Sequence, residues 1–336
     1  MWHKGLGRKM KLRQVRDVIR RGLIQLDANR RTFVDVKPDS ELKTTAEALL
    51  GVNDALRQEA MEQKQKIDSI ERFIELSAME WGPLFWRQYS LCMHLFGPPN
   101  PCNVPPRKIP DELMDGFTMG GTIPIEYNYL DTTYPDNWPL IYTDYQIDLY
   151  LEKIGKRQTH IYGMTDVWMW EAIEKYPIKG LHVVNIGSVT PWYESNCLYY
   201  GAKSTTIDYN KIITRTDRLK TMTTVDWDRE QPVFDIAWSI SSFEHDGLGM
   251  YGDPLDPEGD LKAMRNMKRV VKPSGLMFLS VPIGNDKLVF NNARIYGRKR
   301  LPLMMEGWEL IDTFGLEPIH YEGPGHIQPV FILRNL

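Results

Sequence analysis

Between residues 180 and 284 the apolar positions fall into short runs separated by stretches of helical period. "GLHVVNIG" (180–187), "KSTTIDYN" (203–210), "LKTMTTVDW" (219–227), "VFDIAWSIS" (233–241) and "GLMFLSVPIG" (275–284) read as strands. They are rich in Val, Ile, Thr and Phe and too short for ordinary helices. "PWYESNCLYYG" (191–201) and "DLKAMRNMKRVV" (260–271) read as helices between them. Such alternation predicts βαβ units, a mostly parallel sheet covered by helices on both faces, and so an α/β fold of Rossmann-like type. "LEPIHYEG" and "QPVFILRNL" at the end have no helix between them, so an antiparallel strand pair is expected to close the sheet.

Upstream the period changes. Leu12, Val15, Ile19, Leu23 and Leu26 recur at helical spacing in a stretch of 31 residues with ten Lys/Arg against two Asp. This is a basic amphipathic helix, suited to an anionic membrane surface, to an import-like presequence, or to packing on a neighbour. Leu49, Asn53, Leu56, Ala60, Gln63, Ile67, Ile70, Ile74 and Ser77 alternate by four and three. That heptad seam fits a coiled-coil stem with self-association over residues 49–77, and equally a single long surface helix. "GPPNPCNVPPRKIP" (97–110) can continue neither a helix nor a central strand. The expected organisation is a helical N-terminal region (1–96), a Pro/Tyr-rich linker and cap (97–160) and an α/β domain (161–336).

Composition narrows the function classes. A net charge of −3 gives no global pull toward nucleic acid. No run approaches the roughly 18 apolar residues that span a bilayer, and no leader of basic plus apolar type opens the chain. As it stands the sequence suits the cytoplasm; an anchor upstream of the stem would suit the Golgi or another secretory compartment. Cys92, Cys102 and Cys197 have no metal spacing and leave the redox compartment open.

Ligands of open α/β sheets sit at the carboxyl ends of the strands. Gly187 there permits a tight turn, and Ser188 and Thr190 keep the loop small. Asp208 ends the next strand, 21 residues later, where a carboxylate can accept both hydroxyl protons of a ribose. Asp226 in "TTVDWD" is read as ending a third strand, where an adenine amino group would lie. "FDIAWSISSFEHDG" brings Ser239, Ser241, Ser242, Glu244 and His245 to a fourth strand end. The loop "DGLGMYGDPLDPEGD" carries Asp246, Asp253, Asp256, Glu258 and Asp260. Their spacing matches no cation-loop pattern, and Asp260 reads as a helix N-cap, so no metal is expected.

In this order the pieces resemble class I S-adenosylmethionine-dependent methyltransferases over about residues 165–334. "NIGSVTPWYES", "EHDGLGMYGDPLDPEGDLKAM" and "NNARIYGRKRLPLM" look more narrowly like a nematode-rich, methyltransferase-like family without an assigned function. The resemblance implies S-adenosylmethionine as cofactor, held by Asn185, Gly187, Ser188, Thr190, Asp208, Asp226 and Ser239. From its position just past the fourth strand, His245 is read as the base that takes a hydroxyl proton, and Glu244 as fixing the loop or contacting the cofactor; the resemblance implies Asn291, Asn292, Arg294 and Tyr296 as an acceptor-binding segment. The expected reaction is O-methylation of a polar small molecule or glycan. Asn185 stands where the superfamily has Asp or Glu, and Val189 and Pro191 where it has glycines, which favours as the alternative an inactive scaffold of the same fold. A nicotinamide enzyme ranks third, because the loop lacks the further glycines of a G-x-G-x-x-G turn.

Overall fold

In a computed structural model, residues 57–68, 105–129, 140–322 and 325–336 are described. The chain divides into two compact units, Met1–Lys64 and Gln65–Leu336. Residues 57–64 of the first are helical and exposed. The basic helix and most of the heptad stretch 49–77 lie outside the described residues, as do Cys92 and Cys102. Among the described residues, no helix is long and apolar enough to cross a membrane.

From residue 105 on, the described part of the second unit holds α1 (Asp111–Thr118), β1 (Ile125–Tyr127), β2 (Leu140–Thr143), α2 (Asp144–Gly155) and α3 (Met164–Lys175). It continues through β3 (His182–Ile186), α4 (Trp192–Tyr199), β4 (Lys203–Asp208), β5 (Ile212–Arg215), β6 (Lys220–Thr223), α5 (Thr224–Glu230) and β7 (Phe234–Ile240). After a short turn of helix at Phe243–His245 come α6 (Gly259–Val270), β8 (Val271–Ser280), β9 (Lys287–Phe290), β10 (Ala293–Ile295), α7 (Leu301–Met304), β11 (Trp308–Phe314) and β12 (Val330–Asn335).

Seven strands form the main sheet in the order β11-β12-β8-β7-β3-β4-β6. β6, β4, β3, β7 and β8 run parallel, and β12 lies antiparallel to both β8 and β11. Numbered within the sheet this is 3-2-1-4-5-7-6, the mostly parallel arrangement with an antiparallel closing pair that the sequence led us to expect. The order reverses between β3 and β7, so a crevice opens outside their carboxyl ends.

Alternation along the central strands divides the core between the two faces. On β7, Ala237 packs with Trp227, Leu261 and Met264 from α5 and α6. Ile236 and Trp238 pack on the opposite face with Tyr150, Trp170, Ile173 and Trp192 from α2, α3 and α4. β8 and β12 divide in the same way, Met277 and Leu333 to one side, Phe278 and Ile332 to the other. Both faces being covered explains why these strands read as continuous apolar runs.

Within the expected linker and cap, 97–160, the described residues are tied to elements of the α/β region: β1 pairs with β9, β2 pairs with β5, and Tyr150 and Ile154 of α2 are core residues. Two expectations need correction. The closing pair is 308–314 with 330–335, because Pro318 starts a short turn of 3-10 helix where the "LEPIHYEG" strand was expected. Finally, the third strand stops at Thr223. Its hydroxyl accepts the Asp226 N–H at 3.1 Å while the Asp226 carboxylate accepts the Thr223 N–H, a reciprocal cap that starts α5.

Candidate active site

A cleft of about 500 Å³ lies at the carboxyl ends of β3, β4 and β7, the place the switch of strand order dictates. Gly187 forms its floor at φ +67°, a left-handed conformation that glycine adopts without penalty. The Ser188 carbonyl accepts from the buried Tyr142 hydroxyl at 2.8 Å, and the Ser188 hydroxyl donates to the Thr190 carbonyl at 2.9 Å. Pro191 takes the N-cap position of α4, and Val189 is 44% exposed at the rim, so neither fills the cleft.

Asp208 lies in the wall. One carboxylate oxygen accepts the Ser188 N–H at 3.0 Å and the other the Asn210 N–H at 2.7 Å. Burial pushes its carboxyl above the ordinary range, against those two hydrogen bonds. Each oxygen keeps a second lone pair for a ligand hydroxyl.

Past the end of β7, Ser241 has φ +52°, unusual for a residue with a side chain and common where backbone strain serves a site. Its hydroxyl donates to Glu244 Oε1 at 2.6 Å, and Gln328 Nε2 donates to both, at 2.9 and 3.3 Å. Glu244 is buried with Oε2 unpartnered, and burial raises its pKa. His245 lines the cleft with Nδ1 2.6 Å from the Asn292 carbonyl. A carbonyl only accepts, so Nδ1 carries a proton, and Nε2 is the nitrogen left to exchange one. Nε2 stands 3.8 Å from Glu244 Oε1.

The acidic loop is tied down from within. Asp253 accepts the N–H groups of Gly247, Gly249 and Tyr251 at 2.7, 3.3 and 3.3 Å, and Asp256 binds Lys262 at 2.6 Å. Asp260 is not an N-cap: Glu258 holds that position, and Asp260 is buried against Arg300 through two hydrogen bonds of 2.6 and 2.8 Å. Among the described residues no three His, Cys, Asp or Glu side chains are grouped to hold a metal ion.

Several residues expected in the site stand elsewhere. Alternation along β3 turns Asn185 to the α4 face, 3% exposed, where it donates to Ser204 at 2.9 Å. Ser239 is likewise fully buried within β7. Asp226 caps α5 and pairs with Arg229 at 2.9 Å. Thr190 accepts from the Ser188 hydroxyl through its carbonyl, and its side chain is hydrogen-bonded with the buried Tyr150. None of the four lines the cleft, whereas Gly187, Ser188, Asp208 and His245 do, and Glu244 sits behind His245. Arg294, Tyr296 and Asn291 are buried scaffold and not an acceptor surface: Arg294 grips the Asp246 carbonyl at 2.6 Å, and the Tyr296 hydroxyl donates to Asp260 at 2.9 Å. Tyr162 joins the wall from the turn between α2 and α3, a position no periodic pattern marks.

The wall's charge has a definite sign. Asp208, Asp228, Asp246, Asp253 and Asp256 face it, against Lys262, which is paired with Asp256. No arginine is among the residues described there.

Residues 180–321 match the family model described as "Caenorhabditis protein of unknown function, DUF268". That match, over less than half of the chain, agrees with the resemblance to a nematode-rich family without an assigned function. The matched segment contains β3 through β11 with Gly187, Ser188, Asp208, Glu244 and His245, whereas Tyr142, Tyr162 and Gln328 lie outside it. No curated protein matches the chain. Among solved structures, TehB from Haemophilus influenzae is similar at 17% identity and TM-score 0.36, over 57% of this chain and 67% of that one. A SAM-dependent methyltransferase from Methanosarcina mazei is similar at 14% identity and TM-score 0.36, over 49% of this chain and 97% of that one. A third, described as a candidate SAM-dependent methyltransferase from Streptococcus mutans, is similar at 15% identity and TM-score 0.35, over 49% of this chain; the chain spans about half its length, 47%.

Proposed function

We propose that the cleft binds S-adenosylmethionine and that the protein transfers its methyl group to a hydroxyl of a polar small molecule or glycan. The charge of the wall carries this reading. Five aspartates against one paired lysine repel the pyrophosphate of a dinucleotide and attract a donor with a sulfonium and an ammonium. The floor also fits: a left-handed glycine gives close backbone approach, and Asp208 beside it has free lone pairs for a ribose diol. When bound, the donor supplies an electrophilic methyl group.

The residues of the chain then have separate tasks. Asp208 orients the sugar, and the Gly187–Ser188 turn, held by Tyr142, fixes the distance between sheet and ligand. His245 Nε2 takes the acceptor's proton, since Nδ1 is committed to Asn292. Glu244, 3.8 Å away and buried, stabilises the imidazolium so formed. Calorimetry with S-adenosylhomocysteine tests the reading. Micromolar binding lost in Asp208→Ala supports it; no binding, or binding untouched by that change, ends it.

One observation favours a second reading, a scaffold of this fold without turnover: Asn185 is neutral and turned away from the cleft. Transfer of labelled methyl groups into an extract by the wild type and not by Asp208→Ala would eliminate the scaffold.

A further inference from the structure

Four of the five wall aspartates are accounted for. Asp208 and Asp253 accept backbone N–H groups, Asp256 holds Lys262, and Asp228 stands exposed at the rim. Asp246 is different. It is half-buried in the wall, and its side chain makes no hydrogen bond or ion pair among the described residues. Its backbone is nonetheless fixed, because Arg294 grips its carbonyl at 2.6 Å and its own N–H donates to the Phe243 carbonyl at 3.1 Å. The next residue, Gly247, admits no side chain, since a Cβ there would lie 2.1 Å from the Asp256 carbonyl oxygen. The structure thus holds a partnerless carboxylate rigidly against a ligand-sized space.

Resting on the reading of the cleft given above, we propose that Asp246 is the residue that binds the α-ammonium group of the methyl donor, supplying the negative charge that Asn185 does not. A charge-assisted hydrogen bond from an ammonium is about twice as strong as a neutral one. The surroundings agree. Burial pushes the Asp246 carboxyl well above the ordinary range, and Asp253 from the acidic loop, Asp260 from α6 and Glu244 from the same turn add to it, while Arg294 from β10 opposes them. His245 stands beside it in sequence. An unpaired carboxyl in that environment gains its charge most readily when a cation arrives.

The test compares two ligands that differ in the amino-acid part: S-adenosylhomocysteine, which carries the ammonium, and 5′-methylthioadenosine, which lacks it. Calorimetry on the whole chain is expected to show that Asp246→Asn weakens the first roughly 10- to 100-fold, as a hydrogen bond between charged groups is worth. The second should change less than about twofold on the same argument. Asp246→Asn weakening both equally, or neither, overturns the assignment and leaves the methyltransferase reading standing. Wild type binding neither ligand overturns both. Should Asp246→Asn fail to fold, the wild type decides alone. Its preference for S-adenosylhomocysteine must shrink on acidification as Asp246 takes up a proton, and a constant preference refutes the proposal.

Discussion

A Cβ placed on Gly187 would lie 2.2 Å from the Ser242 hydroxyl oxygen and 3.0 Å from its Cβ, so the turn after β3 and the segment after β7 meet where only a hydrogen fits. The floor of the cleft is set by that contact. Gly187→Ala therefore combines a steric clash with a left-handed backbone, which alone costs an L-residue about 1–2 kcal/mol. We expect Gly187→Ala to lose about 2–4 kcal/mol in urea unfolding. Adding Ser242→Gly should restore the steric part and leave the conformational part. A double-mutant cycle reads the coupling directly.

Asp260 and Arg300 form a buried ion pair, 0% and 5% exposed at their side chains, that anchors the loop under the cleft. Arg300→Met should cost about 3–5 kcal/mol, because the carboxylate is left buried with Tyr296 and the more distant Arg294 as its remaining partners. Replacing both, Asp260→Leu with Arg300→Met, should recover much of the loss. Equal instability of single and double variants would show that the pair is not the unit of stabilisation.

Glu194 in α4 is fully buried with Oε1 accepting from Thr206 at 2.7 Å, and burial raises its carboxyl from 4.5 to about 7. The folded protein keeps a proton that the unfolded chain releases between pH 4.5 and about 7. This contribution is complete below pH 4.5 and is lost as pH rises through 7, on the order of 3 kcal/mol in all. Melting curves of Glu194→Gln should lack that decline and show higher stability than wild type at pH 8.

His245 and Glu244 should separate kinetically once an acceptor fraction is in hand. His245→Gln is expected to lower turnover about 100- to 10,000-fold with S-adenosylhomocysteine affinity unchanged, as for loss of a general base. Glu244→Gln should lower it less, because the imidazolium loses its counter-charge while the base itself remains. A fall in cofactor affinity matching the fall in rate would make both residues structural.

The class of fold was legible because it depends on local rules. Central strands such as "VFDIAWSIS" and "GLMFLSVPIG" are buried on both faces and therefore apolar throughout, and Gly187 and Asp208 stand at strand ends that those runs define. Asp226 is ambiguous in sequence because "TTVDWD" suits a strand end and a capped helix alike, and the choice rests on the Thr223 reciprocal cap. The β11 strand gives little signal because "WELIDTF" is a half-exposed edge without a strong apolar run.

Local pattern is enough for the alternation of elements, the glycine turn and the acidic residue of the neighbouring strand, since hydrophobic period and turn chemistry act over a few residues. Which side chains share the cleft depends on how the elements pack. Strand alternation sends Asn185 and Ser239 away, the packing of β10 against the loop buries Arg294, and the meeting of distant segments exposes Asp246 to the same space as Asp208. Those outcomes depend on contacts between residues far apart in the chain, which no local pattern encodes.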